Sequence, residues 1–174
     1  MSATGQPQYI GSLGGTETQP EAINSGGDIA GFGTTTGNVT THAFLYNGSI
    51  MLDLGVLSGT VLSDAFDLND QDDVVGLCEY NDGSTRAFLY TASGGMQDLN
   101  GLIAPAAGWF LESAAAINDH GEITGIGVNP AGQTHAFLLI PTPEPSELAL
   151  LITAMALATI HAYTKNRRSN AFRR

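Results

Sequence analysis

The sequence predicts an all-β protein: three four-stranded antiparallel repeat units in tandem, followed by a short C-terminal hydrophobic helix. Two observations carry this expectation. One motif recurs three times between residues 22 and 139, each time as short apolar runs broken by turn-forming residues. After residue 140 the composition changes abruptly to a proline-rich stretch, an apolar run and a basic end.

The repeat is plain in the residues. The first copy holds Ala22-Ile23-Asn24, then Gly27-Asp28-Ile29-Ala30-Gly31, then His42-Ala43-Phe44-Leu45-Tyr46. The second holds Asp67-Leu68-Asn69, Asp72-Asp73-Val74-Val75-Gly76 and Arg86-Ala87-Phe88-Leu89-Tyr90. The third holds Ala116-Ile117-Asn118, Gly121-Glu122-Ile123-Thr124-Gly125 and His135-Ala136-Phe137-Leu138-Leu139. Equivalent asparagines are 45 and 49 residues apart, and the longer interval takes up its extra residues around Pro105, Gly108 and Trp109.

Each unit reads as four strands. The first ends at the apolar residue before Asn24, Asn69 or Asn118, and a turn of Ser, Asp, Gln, His and Gly follows. Alternation of period two marks the second strand, and the apolar Ala-Phe-Leu segment marks the third. Asn47-Gly48 then turns the chain into a fourth strand over residues 51–57, and Ser93-Gly94-Gly95 does the same before residues 96–102. Four antiparallel strands in about 45 residues is the pattern of a propeller blade. The third copy stops at Ile140 before its fourth strand. Residues 9–15 (Tyr-Ile-Gly-Ser-Leu-Gly-Gly) match the fourth-strand pattern of residues 53–59, so an N-terminal strand is expected to complete the last unit. Three blades are fewer than a closed propeller needs. The body is therefore either a compact pseudo-threefold β structure or an arc completed by other sequence.

Charge separates the chain into two objects. The net charge is −11, from 17 acidic and 6 basic residues. Five of the basic residues lie in the last ten positions, so residues 1–140 set one arginine, Arg86, against 15 acids. Such a body cannot neutralise a phosphate backbone, which excludes nucleic acid as a partner. Cys78 is the single cysteine, so neither an internal disulfide nor a cysteine-based metal site is possible. The first 15 residues show neither a basic n-region nor an apolar h-region.

The His/Arg-Ala-Phe-Leu-Tyr segments, with Ile/Leu-Asn-x-x-Gly/Asp-x-Ile/Val-x-Gly before them and Asp-Leu after, resemble HAF-type extracellular repeats over residues 9–140. That resemblance implies an exported bacterial repeat protein with no established biochemical activity. Arg86 stands where the family has histidine, and the third copy lacks the aromatic residue after Leu138.

Residues 141–174 carry a second resemblance. Pro141-Thr142-Pro143-Glu144-Pro145-Ser146 reads as an extended spacer. Residues 148–162 are almost wholly apolar and would span about 22 Å as a helix, short of a hydrocarbon core of about 30 Å. Lys165, Arg167 and Arg168 follow and would stay on the cytoplasmic side. This tail resembles the PEP-CTERM sorting signal of Gram-negative bacteria, with Pro143, Glu144, Pro145 and Ser146 as sorting motif and Lys165, Arg167 and Arg168 as basic stop. The resemblance implies transient inner-membrane anchoring, processing near Glu144-Pro145 by an exosortase-type enzyme, and delivery to the cell surface. Three domains are expected: the three-copy β-repeat domain 1–140, the Pro-rich spacer 141–147, and the hydrophobic helix with basic tail 148–174. Such a tail presupposes an exported N-terminus, so the start is expected to be truncated or misassigned, or the chain a degenerate fragment.

Catalytic chemistry is sparse. His42 and His135 occupy equivalent places, but Arg86 fills the same place in the second copy and guanidinium does not ligate metals, so no metal role is expected. His120 reads as a solvated turn residue. Asp67, Asp70, Asp72 and Asp73, with Asn69, form the most acidic run, yet the glycine and distal glutamate of a calcium loop are missing. There is no nucleophile elbow, phosphate-binding loop or His-Glu-x-x-His. Cys78 falls within a strand and is expected to be buried and unreactive. Asn38 and Asn47 open formal glycosylation sequons that carry little weight in a bacterial chain. The expectation is a non-enzymatic surface or extracellular-matrix repeat protein without cofactor, its partners the processing enzyme, the membrane before processing, and a polysaccharide or envelope component. The alternative is a fragment of a larger propeller serving as a ligand-binding or enzyme-associated module.

Overall fold

The structure, a computed structural model, describes residues 5–142. Met1–Ile140 form one compact unit. Pro143, Glu144, Pro145 and Ser146, the apolar segment 148–162 and Lys165, Arg167 and Arg168 lie outside the described residues.

The described chain is mostly β, in three antiparallel sheets. The first is β1 (Gly14–Ile23), β2 (Ile29–Thr35), β3 (Thr41–Tyr46) and β4 (Met51–Gly55), paired in chain order. The second repeats this order with β5 (Leu62–Leu68), β6 (Val74–Glu79), β7 (Thr85–Thr91) and β8 (Gly95–Asp98). The third holds only β9 (Phe110–Ile117), β10 (Ile123–Val128) and β11 (Thr134–Leu139).

Two expectations are corrected here. Among the described residues the third unit has three strands instead of four, and residues 5–13 do not join it; they lead into β1 of the first sheet. The fourth strand of the second unit ends at Asp98 and does not run to Leu102. Asp98 accepts a hydrogen bond from the Asn100 backbone N–H at 2.8 Å, which turns the chain into a short 3-10 helix at Leu99–Gly101. A second 3-10 turn, Pro105–Ala107, opens on a proline that has no ladder donor to offer.

The repeated residues explain why each sheet has one shape. Gly31, Gly76 and Gly125 lie opposite Pro20, Ala65 and Ala114, next to a β-bulge in β1, β5 and β9. A side chain at any of the three would collide with the carbonyl oxygen of Gln19, Asp64 or Ser113. The bulge brings that carbonyl close and only hydrogen fits. A Cβ at Gly76 would also lie 2.8 Å from the Phe88 ring, and one at Gly125 2.8 Å from Phe137. The glycine and the phenylalanine of the motif are thus two halves of one packing contact.

The sheets pack face on face through two cores. Ala30, Ala43, Leu45 and Leu54 of the first sheet meet Ala65, Leu68, Val74, Cys78 and Phe88 of the second. Val75, Ala87 and Leu99 of the second meet Leu111, Ala114, Ile117, Ile123 and Phe137 of the third. Val74 and Val75 are adjacent and fully buried, yet belong to different cores. The period of two on β6 puts one on each face, so the middle sheet is buried on both sides.

Candidate functional site

The asparagine of each repeat builds the hairpin turn that follows it. Asn24, Asn69 and Asn118 accept, on Oδ1, the backbone N–H four residues on (2.8, 2.9 and 3.0 Å). Their own N–H groups donate to the carbonyl at the same residue. The third turn position needs a positive φ, supplied by Gly27 (91°), Asp72 (62°) and Gly121 (74°). Only the second copy places a side chain there.

These turns also join the sheets. Asn24 Nδ2 donates to the carbonyl of Asn69 (3.2 Å), and Asn69 Nδ2 donates to the carbonyl of Asn118 (3.3 Å). Beside this runs a second line: the Ser25 N–H donates to Asp70 Oδ1, and the Asp70 N–H to Asp119 Oδ1, both at 2.9 Å. Ser63, fully buried, stitches the first junction by accepting from the Ala43 N–H (2.8 Å) and donating to the Gly55 carbonyl (2.6 Å). Asn100 mimics a strand partner for Leu111, accepting its N–H at 2.7 Å and donating to its carbonyl at 3.0 Å.

The acidic run of the second copy is consumed by these contacts. Asp67 accepts the Ile117 N–H at 2.9 Å. Asp70 accepts the Ser25 hydroxyl at 2.6 Å as well as its N–H, and these bonds hold its carboxyl below the usual range. Asp72 accepts Asn24 Nδ2 at 3.0 Å, while burial and the neighbouring Asp28 push its carboxyl upward. Asp73 accepts Asn69 Nδ2 at 3.2 Å. Oxygens that would suit Ca²⁺ instead receive N–H and O–H donors of the first and third sheets or of their own turn. Among the described residues no group of three or more His, Cys, Asp and Glu is arranged to hold a metal ion.

The equivalent positions 42, 86 and 135 fall on β3, β7 and β11. His42 Nδ1 lies 2.9 Å from Asp53 Oδ1 on β4, and Arg86 donates to Asp98 Oδ2 on β8 at 2.8 Å. Arg86 also lies over Phe110 (5.2 Å) and Tyr80 (5.6 Å), while its Nε–H is buried without a partner. His135 is exposed, in the sheet that has three strands among the described residues. His120 is exposed in its turn and donates its N–H to Asn118 Oδ1 at 3.0 Å. Cys78 lies buried on β6, its Sγ 3.6 Å from Met96 Sδ, and burial pushes the thiol upward. The three repeated positions therefore do not converge; each sits on its own sheet. What sequence reasoning missed is the acid across the strand. Its signal was present in the Asp-Leu that recurs after two of the apolar segments.

A shallow groove lined by Glu17, Gln19, Phe32, Gly33, Thr34 and Thr41 on the first sheet has a volume of about 20 Å³, room for little more than a water molecule. Ligand pockets commonly run from roughly 300 to 1,000 Å³. No helix among the described residues is long and apolar enough to cross a membrane. Comparison with family models, with curated proteins and with solved structures found no match for this chain.

Proposed function

We infer that this chain is a non-enzymatic, exported bacterial repeat protein that presents an acidic β body at the cell surface or in the extracellular matrix. The observation that carries the reading is the use to which the repeated polar residues are put. Asn24, Asn69, Asp70, Asp119, His42 and Arg86 each make hydrogen bonds that hold turns, strands or sheets together. A body of this kind is a scaffold whose surface interacts. The stacking of successive sheets supports a propeller-like arc over a compact pseudo-threefold body, because each junction repeats the same hydrogen bonds in the same direction.

Export rests on the resemblance of the tail to a PEP-CTERM signal. In this reading Pro143, Glu144, Pro145 and Ser146 are recognised by an exosortase-type enzyme. The apolar segment 148–162 anchors the chain transiently in the inner membrane, and Lys165, Arg167 and Arg168 hold the cytoplasmic end. No cofactor takes part, and the ligand class that suits the surface is a polysaccharide or another envelope component. Mass spectrometry of the mature protein from its native host tests this reading. Cleavage near Glu144-Pro145 with the body in the extracellular fraction is expected; an intact C-terminus on a cytoplasmic chain would overturn it.

A second reading has one observation in its favour, the open outer face of the third sheet. The chain would then be part of a larger propeller that serves as a ligand-binding or enzyme-associated module.

A further inference from the structure

The chain contains the Asn-Gly pairs Asn47-Gly48 and Asn100-Gly101, and the fold treats them in opposite ways. In such a pair no side chain screens the glycine nitrogen, so that nitrogen can reach the side-chain carbon of the asparagine before it. Three conditions favour the reaction between them. The nitrogen must be free, the amide that leaves must be free, and donors must face the oxygen on which charge develops.

Asn47 meets all three at the tip of the β3–β4 hairpin. Tyr46 pairs with Met51, and the loop between them is closed by the Asn47 N–H donating to the Ile50 carbonyl at 3.2 Å. Residues 47–50 are all exposed. Gly48 has a φ of 82°, and nothing lies within 4 Å of where its Cβ would be. Among the described residues neither the Gly48 N–H nor Asn47 Nδ2 has a hydrogen-bond partner. Asn47 Oδ1, by contrast, accepts the backbone N–H groups of Ser49 (3.2 Å) and Ile50 (3.0 Å). Two donors thus draw electrons from the side-chain carbonyl and are in place for an oxyanion there.

Asn100 is half-buried and held at both ends of its amide. Its Oδ1 accepts the Leu111 N–H at 2.7 Å, and its Nδ2 donates to Asp98 Oδ1 at 2.9 Å and to the Leu111 carbonyl at 3.0 Å. The amide cannot leave without breaking the link to β9. Asn24 and Asn69 are protected differently, because the nitrogen that follows each is occupied. The Ser25 N–H donates to Asp70 and the Asp70 N–H to Asp119.

We propose that Asn47 is a site of covalent modification, where the side-chain amide is lost by cyclisation onto the Gly48 nitrogen and leaves aspartate or isoaspartate at the hairpin tip. Hydroxide takes the Gly48 N–H proton, and the nitrogen attacks Asn47 Cγ. The charge passes to Oδ1, facing the Ser49 and Ile50 donors. Collapse of this adduct breaks the Cγ–Nδ2 bond, and Nδ2 takes a proton from water and departs as ammonia. Water then opens the succinimide. Attack at Cγ restores the normal backbone as aspartate, while attack at the main-chain carbonyl carbon routes the chain through Cβ and Cγ as isoaspartate. No electron donor or acceptor is needed. Either product adds one negative charge to a body that is already acidic, and isoaspartate also lengthens the hairpin loop by one backbone atom.

Peptide mapping by mass spectrometry tests this on the full chain, incubated in mildly alkaline buffer and sampled over time. In the folded protein the Asn47 peptide is expected to gain the mass of an amide-to-acid exchange at least about tenfold faster than the Asn100 peptide, the worth of roughly one of the hydrogen bonds that hold Asn100. In guanidinium chloride the two rates are expected to converge, because the dipeptides are the same and only the fold separates them. Gly48→Ala, whose methyl group has room, is expected to slow the Asn47 reaction at least about tenfold and to leave Asn100 unchanged. Equal rates in the folded chain, a difference that persists in denaturant, or no slowing with Gly48→Ala each overturns the proposal.

Discussion

Arg86 reaches across β7–β8 to Asp98 at 2.8 Å, in the place where His42 meets Asp53 across β3–β4 at 2.9 Å. The histidine-to-arginine exchange between copies keeps a ring or guanidinium nitrogen opposite an acid, and the arginine adds contacts over Phe110 and Tyr80. The pair belongs to strand pairing, a term worth roughly 0.2–1 kcal/mol for partly exposed charges.

Arg86→Ala should therefore cost more than His42→Ala. Arg86 adds contacts over Phe110 and Tyr80 to its ion pair, so a loss of about 1–2 kcal/mol is expected. His42→Arg should be close to neutral. Urea unfolding monitored by circular dichroism measures all three, and an Arg86→Ala variant as stable as wild type would show that the position is idle.

Asn69→Ala and Asn118→Ala separate the turn from the junction. Both asparagines hold their own turn, but among the described residues only Asn69 of the two donates to a following sheet. Asn69 is also 3% exposed, so its removal leaves backbone groups unsatisfied in the interior. Asn69→Ala is expected to cost about 2–3 kcal/mol and Asn118→Ala about 1 kcal/mol in the same unfolding assay. Equal losses would mean that the inter-sheet bond adds nothing.

Gly76→Ala and Gly48→Ala distinguish lack of space from lack of conformational freedom. Gly48 has a φ of 82° and open space around it, so alanine there should cost about 1 kcal/mol. At Gly76 the new methyl meets the Asp64 carbonyl and the Phe88 ring, and about 3 kcal/mol is expected. Thermal melts of the two variants should fall in that order.

Asp64 gives the stability a pH dependence. Burial raises its carboxyl first, and the charges of Glu79 and Glu21 raise it further. The folded state therefore binds the proton more tightly than the unfolded chain, so this group's contribution improves as pH falls through the folded value and is lost as pH rises through it. Asp64→Asn should raise Tm by on the order of 2 °C at pH 7 and by nothing at pH 3, where the native carboxyl is already protonated. A gain that is the same at both pH values would assign the effect to something other than charge.

The three-copy organisation and the order of strands within each unit were legible in the residues, because turn chemistry and period-two alternation act over a few neighbours. Asn47-Gly48, the Asn-led turns and the Ala-Phe-Leu strands all fell where expected. The end of β8 at Asp98 was not legible, since it depends on one side chain capping the next turn and on Asn100 finding Leu111 eleven residues away.

What the sequence determined by itself is thus local: strands, turns, and the repetition that makes three sheets alike. Only the tertiary structure decided which face of each sheet meets the next, because that depends on groups 45 to 50 residues apart, such as Asn24 with Asn69 and Asp67 with Ile117. It turned an acidic run that lacks the marks of a calcium loop into a set of acceptors for neighbouring donors. It also made identical positions unequal. Leu45 and Leu138 occupy the same place in the repeat, yet one is buried and the other faces solvent, because a repeated sheet is covered only where another sheet follows it.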